Sequence, residues 1–224
     1  MSTALIVGAS RGIGAELARQ YRNDGWRVIA TVRKPADGDV LRELGCEVLQ
    51  VDIDKVEHCA ALGWQLDDER LDTVILCAGI YGPQTTGLDA PSAADFDAVM
   101  HANVLGAMRL LPLLGPLVAN AKGRLAVLSS MMGSIGLRGN SGGWLYRASK
   151  AALNSVLADA ALTFGSAGAI CVAMHPGWVR TDMGGSEADL SVTESAAGLR
   201  ATLKKIRQAD NGKFLNYDAT PIPW

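Results

Sequence analysis

Seven short apolar runs, at 4–7, 27–32, 47–51, 73–76, 124–128, 170–174 and 213–215, alternate with helical patterns near 12–24, 37–45, 54–65, 92–119, 147–166 and 193–208. No other feature of the chain constrains its fold as strongly. Most of the runs are continuously apolar, as strands buried on both faces must be. Strands separated by helices build βαβ units, and right-handed crossovers put the helices on both faces of a parallel sheet. At 224 residues, without repeat, low-complexity tract or linker, a single doubly wound α/β domain spanning 1–224 is expected.

Composition narrows the function. Hydrophobic residues are 49% and charged residues 20%, enough for a large core and against disorder. The net charge is −2 and no Lys/Arg run occurs, so no nucleic-acid face is expected. Cysteines 46, 59, 77 and 171 form no C-x-x-C, and His58 beside Cys59 lacks repeated metal spacing. Free thiols, a reducing compartment and no metal follow. The first eight residues lack the basic segment of a signal peptide. The longest apolar stretch, Leu105 to Val118, is short of a span of ~20 residues and carries Arg109, Pro112 and Pro116. A soluble, cytoplasmic protein without membrane contact is expected, with the two prolines kinking or ending the fourth helix.

The first strand runs into Gly8-Ala9-Ser10-Arg11-Gly12-Ile13-Gly14 and then a helical pattern. Glycines at such a turn bring backbone N–H groups close to a pyrophosphate, and the helix N-terminus adds partial positive charge. The spacing is G-x-x-x-G-x-G rather than G-x-G-x-x-G. The second strand ends Val32-Arg33-Lys34 with no acid for a ribose hydroxyl. Arg33, helped by Arg11, suits a 2′-phosphate, so NADP(H) is favoured over NAD(H). Asp52, before Ile53 at the third strand's end, either points into the ligand crevice or caps the next helix. At the end of the fourth strand, Cys77, Ala78 and Gly79 let a cofactor lie against the backbone.

Tyr146 and Lys150 are four apart, on one face of a helix if Tyr146 opens it. A nearby ammonium lowers a phenol's pKa, which turns the pair into a proton-transfer group. Ser130, or Ser129 beside it, can hydrogen-bond a substrate carbonyl at a strand end. The stretch Gly133–Gly143 holds five glycines and reads as a free loop. His101 and His175 read as packed or partly exposed histidines. Met131, Met132, Trp144 and Trp178 belong either to an apolar substrate pocket or to the core.

Together, Gly8-x-x-x-Gly12-x-Gly14, Cys77-Ala78-Gly79, Asn103, Ser130, Tyr146-x-x-x-Lys150 and Pro176-Gly177-x-x-x-Thr181 resemble the short-chain dehydrogenase/reductase family over almost the whole chain. Gly142-Gly143-Trp144-x-Tyr146-Arg147 and the ending Gly212-Lys213-Phe214-Leu215-Asn216-Tyr217-Asp218 are similar to its C-factor-like and sniffer-type carbonyl reductases. The resemblance implies strand order 3-2-1-4-5-6-7 and hydride transfer between NADP(H) and a carbonyl or alcohol. It implies Tyr146 as general acid/base and Lys150 as lowering its pKa and holding the ribose. Ser130 would orient the carbonyl, and Asn103 would hold a relay water. Gly8, Ser10, Arg11, Gly12, Ile13, Gly14, Arg33, Asp52, Ile53, Cys77, Ala78 and Gly79 would hold the cofactor, with Pro176, Gly177, Val179 and Thr181 at its nicotinamide end. A short substrate lid near 182–195 and a homodimer or homotetramer are further implications. Cys77 departs from the family's usual Asn, and 16 positions separate Ser130 from Tyr146. The rival reading is a nucleotide-binding signalling or regulatory protein of the same fold with little turnover.

Overall fold

The computed structural model describes residues 1–85 and 87–224. Seven parallel strands form one sheet in the order β3-β2-β1-β4-β5-β6-β7: β1 Thr3–Val7, β2 Arg27–Val32, β3 Glu47–Gln50, β4 Thr73–Leu76, β5 Arg124–Leu128, β6 Ile170–His175 and β7 Phe214–Asn216. The helices between them are α1 Gly12–Asn23, α2 Asp39–Glu43, α3 Val56–Gln65, α4 Ala93–Met100, α5 Gly106–Ala121, α6 Trp144–Gly165 and α7 Val192–Lys205. The central strands are buried throughout, which accounts for their unbroken apolar sequence.

Alternation along each strand divides the core in two. Leu5, Val7, Val74, Leu125 and Val127 face α3, α5 and α6, which contribute Leu62, Leu110, Leu114, Leu153 and Leu157. Ala4, Ile6, Ile75 and Ala126 face the other way, where α1 and α7 contribute Leu17, Tyr21, Leu199 and Leu203. Two-sided burial of this kind is what the βαβ pattern requires. The chain order reverses between β1 and β4, and a crevice opens there at the strands' carboxyl ends.

One expectation is narrowed and two are corrected. Helix α5 runs through Pro112 and Pro116 without ending. The prolines are four apart and exposed, so the carbonyls left without donors, those of Met108 and Pro112, lie on the solvent face where water can satisfy them. The helix expected over 37–45 is a 3₁₀ turn, Pro35–Gly38, followed by the short α2. The loop Gly133–Gly143 is pinned at its start rather than free. Ser134 Oγ donates to the Pro223 carbonyl at 2.6 Å, and the Gly136 N–H donates to the Trp224 carbonyl at 3.0 Å. Trp224 in turn stacks on Phe214 with centroids 5.6 Å apart.

Between α4 and α5 the helix widens into a π turn, His101–Leu105. The whole stretch Ala93–Ala121 is, among the described residues, the one helix long and apolar enough to cross a membrane by length and composition. More than half of it is buried, and α5 packs on α6 and α3 as a core helix.

Candidate active site

The glycine turn is built by close approach. A Cβ at Gly14 would lie 2.2 Å from the Gly8 carbonyl oxygen, so only glycine lets α1 start against the end of β1. Gly8 takes φ +86°, and its added Cβ would sit 2.8 Å from the Ala78 nitrogen. Thr31 at the end of β2 anchors the turn. Its hydroxyl accepts from the Gly8 N–H at 3.0 Å, and its carbonyl accepts from the Ala9 N–H at 2.8 Å. Helix α1 begins with no side-chain cap and no acid in its first turn. Its first N–H groups are therefore available to an anion, which fits the pyrophosphate of a dinucleotide. Ser10 is exposed on the turn, and Ile13 packs against the core behind it.

Arg33 is exposed at the carboxyl end of β2 and forms no ion pair among the described residues. Arg11 pairs with Asp182, Nη1 to Oδ2 2.5 Å, tying the glycine turn to the segment after Thr181. Asp52 does not cap α3, whose N-cap is Lys55. Its carboxylate instead accepts from the Asp54 N–H at 3.2 Å, while its own N–H donates to His58 Nδ1 at 3.1 Å. The Ile53 carbonyl accepts from Arg109 Nη1 at 2.9 Å, and its side chain fills the space a Cβ at Gly106 would need.

At the end of β4, the Cys77 N–H donates to the Val7 carbonyl at 2.8 Å and so extends the sheet. Burial pushes the Cys77 thiol up to about 12, against the pull of the nearby Lys150 ammonium. Gly79 is wedged between two functional side chains. A Cβ there would meet Asn103 Oδ1 at 2.9 Å and Lys150 Nζ at 3.5 Å.

Asn103 sits in the π turn, a geometry that commonly marks functional sites. Its Oδ1 accepts from the Ile80 N–H at 2.8 Å, and its Nδ2 donates to the Ile80 carbonyl at 2.8 Å and to Ser149 Oγ at 2.9 Å. The side chain therefore clamps the segment after β4 to α6.

Ser130 and Ser129 have separate jobs. Ser129 Oγ donates to Asn154 Oδ1 at 2.6 Å, inside the core. Ser130 accepts from the Met132 N–H at 3.2 Å, and its hydroxyl is close enough to the Tyr146 hydroxyl to pull that phenol down. The 3₁₀ turn Met131–Gly133 holds it there, since a Cβ at Gly133 would lie 2.8 Å from Lys150 Cβ.

Helix α6 starts at Trp144, so Tyr146 and Lys150 lie in its first two turns, both buried. Lys150 Nζ is 5.6 Å from the Tyr146 ring centroid and donates to the Leu128 carbonyl at 2.7 Å. Tyr81, absent from the sequence expectations, stacks on Tyr146 with centroids 4.7 Å apart. Burial pushes the Tyr146 phenol up to about 12, partly offset by the nearby Ser130 hydroxyl. The lowering expected from Lys150 does not prevail, because burial dominates and the ammonium is turned to Leu128. Burial brings Lys150 down to about 8.

Beyond β6, Gly177 takes φ +86° against Leu190, and the Pro176 carbonyl accepts from Ser195 Oγ at 2.6 Å. Val179 is buried and pairs with Leu190 across an isolated parallel bridge, closing off the 180–189 excursion. Thr181 accepts from the Gly184 N–H through both its carbonyl and its hydroxyl, each at 3.1 Å. His101 is exposed in the π turn. His175, at the end of β6, is pushed down to about 4 by burial. Met132 and Trp144 are half-buried, while Met131 and Trp178 are exposed.

A doubly wound parallel sheet, with a glycine-lined helix start and a Ser-Tyr-Lys cluster at its carboxyl end, defines an α/β dinucleotide-binding oxidoreductase architecture. The family model for short chain dehydrogenase matches residues 2–191, and the chain belongs to that family. It is similar to 1-hydroxy-2-glutathionyl-2-methyl-3-butene dehydrogenase of Rhodococcus sp. (strain AD45), 31% identical over 100% of both chains. A carbonyl reductase from Pseudomonas aeruginosa PAO1, solved in complex with NADP, is 36% identical, with all of both chains covered and a TM-score of 0.85. The carbonyl reductase Sniffer of D. melanogaster is 27% identical over 100% of both chains, with a TM-score of 0.92.

Proposed function

We propose that this chain is an NADP(H)-dependent carbonyl reductase, interconverting a small carbonyl compound and its alcohol in the cytoplasm. The observation that carries this reading is the convergence of Ser130, Tyr146 and Lys150 beside an uncapped, glycine-lined helix start. The NADP-bound carbonyl reductase of similar sequence supports the choice of cofactor and reaction. Gly8, Gly12 and Gly14 would hold the pyrophosphate, with Ser10 and Ile13 in the same turn. Arg33 and Arg11 would hold the 2′-phosphate. Asp52 and Ile53 would border the adenine, Cys77, Ala78 and Gly79 the inner wall, and Pro176, Gly177, Val179 and Thr181 the nicotinamide end.

Bound NADPH supplies the hydride that the carbonyl carbon takes up. The Tyr146 hydroxyl donates the proton to the carbonyl oxygen in reduction and takes it back in oxidation. A phenol held high by burial remains a donor throughout the neutral range. Ser130 holds the same oxygen with its hydroxyl, and Lys150 holds the ribose with its ammonium. Asn103 would hold a water that, with Lys150, returns the proton to Tyr146. The segment 182–195 forms a lid on the substrate. Exposed Met108, Leu113 and Leu162 on α5 and α6 fit a dimer or tetramer built on these helices.

The test is consumption of NADPH by the purified protein with a range of aldehydes and ketones. Tyr146→Phe should keep cofactor affinity and lose turnover by ~10²–10⁴-fold, the scale of general acid–base catalysis. Undiminished turnover in that variant would overturn the Tyr146 assignment. Tight NADPH binding without turnover of any carbonyl or alcohol would transfer the weight to a regulatory role.

A further inference from the structure

A second cavity, of about 210 Å³, opens at the opposite end of the sheet from Tyr146. Its floor is the amino end of the strands, where Thr73 of β4 lies in register with Arg124 of β5. Six residue steps, from Arg124 to Ser130, separate it from the catalytic end, roughly 20 Å at strand rise. Its walls are Tyr21 and Asp24 at the end of α1, Trp26 before β2, and Arg200 and Lys204 on α7.

Three cations and one carboxylate line this space. Arg200 is held rigidly, with its Nη2 paired to Asp24, its Nη1 on Gln20 Oε1 at 3.1 Å and its guanidinium 4.6 Å from the Tyr21 ring centroid. That arrangement neutralises Asp24 and leaves the Arg200 Nε–H buried without a partner. The Arg124 Nε–H is also buried without a partner, and Arg124 forms no ion pair among the described residues. Its Nη–H groups likewise have no partner among the described residues, so the Arg124 guanidinium is a charged donor set at the floor of the cavity with no acceptor of its own. Tyr21 and Trp26, packed with centroids 4.9 Å apart, give the cavity an apolar wall.

We propose that this cavity is a second small-molecule site that binds a phosphate dianion, free or as a small monoester. Arg124 donates to its oxygens through its Nη–H groups, Arg200 adds its charge from the wall, and Lys204 closes the mouth with its ammonium. After Asp24 is paired, a net charge of two remains, matching a dianion with several acceptor oxygens. The volume holds a phosphate and a few attached atoms and excludes a second dinucleotide.

The experiment is calorimetric titration of inorganic phosphate, and separately of glycerol phosphate, into the full chain saturated with NADP⁺, so that the cofactor's own phosphate contacts are filled. One equivalent should bind. Tighter binding of the ester would identify a monoester site, and equal binding a free-phosphate site. Arg124→Gln should weaken binding at least about tenfold, the effect of one lost hydrogen bond to a charged group. Lys204→Met, an exposed position, should weaken binding as well and stands in if Arg124→Gln fails to fold. No binding by the wild type, or binding undiminished in both the Arg124 and Lys204 variants, would overturn the proposal.

Discussion

Tyr81 lies flat on Tyr146, ring centroids 4.7 Å apart and planes 26° apart, so the phenol assigned to proton transfer is shielded by a residue from the loop after β4. Together with burial, Tyr81 holds the Tyr146 phenol above its ordinary value of 10. Removing the ring in Tyr81→Ala lets water reach Tyr146 and should lower its apparent pKa toward 10. Spectrophotometric pH titration of the variant, with Tyr146→Phe identifying the band, checks this. A Tyr146 that titrates as high in the variant as in the wild type would show that Tyr81 is a bystander.

The cofactor cradle makes a separate prediction. Arg33 is an exposed cation with no ion-pair partner among the described residues, at the strand end where a 2′-phosphate would arrive. Arg33→Ala should weaken NADPH roughly tenfold to a hundredfold, one charge-assisted hydrogen bond, and leave NADH nearly unchanged. Dissociation constants for both cofactors measure it. Equal losses for the two would point to damage of the turn rather than of phosphate recognition.

Gly14 is a packing requirement and can be tested as one. Its Cβ would lie 2.2 Å from backbone oxygen, so Gly14→Ala must push α1 away from β1. Overpacking of this kind costs ~1–3 kcal/mol. The variant should unfold at lower denaturant concentration and bind either dinucleotide more weakly. Wild-type stability and affinity together would mean that the turn has slack.

His175 gives the fold an acid-side dependence. Burial lowers its pKa from 6.5 to about 4, so between these values the unfolded chain takes up a proton that the folded chain refuses. Stability contributed by the neutral imidazole is therefore full above pH 6.5 and is lost as pH falls toward 4. The whole effect is at most about 3 kcal/mol. Across that window His175→Asn should lose less stability to denaturant than the wild type does. Parallel curves for the two proteins would assign the acid sensitivity elsewhere.

Assembly is read from mass. Light scattering should find a species at least twice the 23.5 kDa chain, as expected if Leu113 and Leu162 are covered by a second copy. A concentration-independent monomer would leave those side chains to solvent.

The sequence by itself determined the strands, the parallel sheet they form and the residue types at the glycine turn and in the Tyr-Lys pair, while the order of the strands came from the family resemblance. These follow from local rules: unbroken apolar runs mark strands buried on both faces, glycines mark close backbone approach, and a four-residue spacing fixes one helix face. Only the tertiary structure separated the two serines, because Ser129 and Ser130 differ in nothing but the face of the chain each presents. Asn154 takes the first, and the second lies beside Tyr146. The π turn at Asn103, the passage of α5 through two prolines and the tethering of Ser134 to Pro223 are likewise set by distant partners. So is the high phenol of Tyr146. It depends on how deeply α6 is buried and on Tyr81, 65 positions away in the chain, rather than on the lysine four residues along. Desolvation is a property of the packed neighbourhood, and no local spacing encodes it.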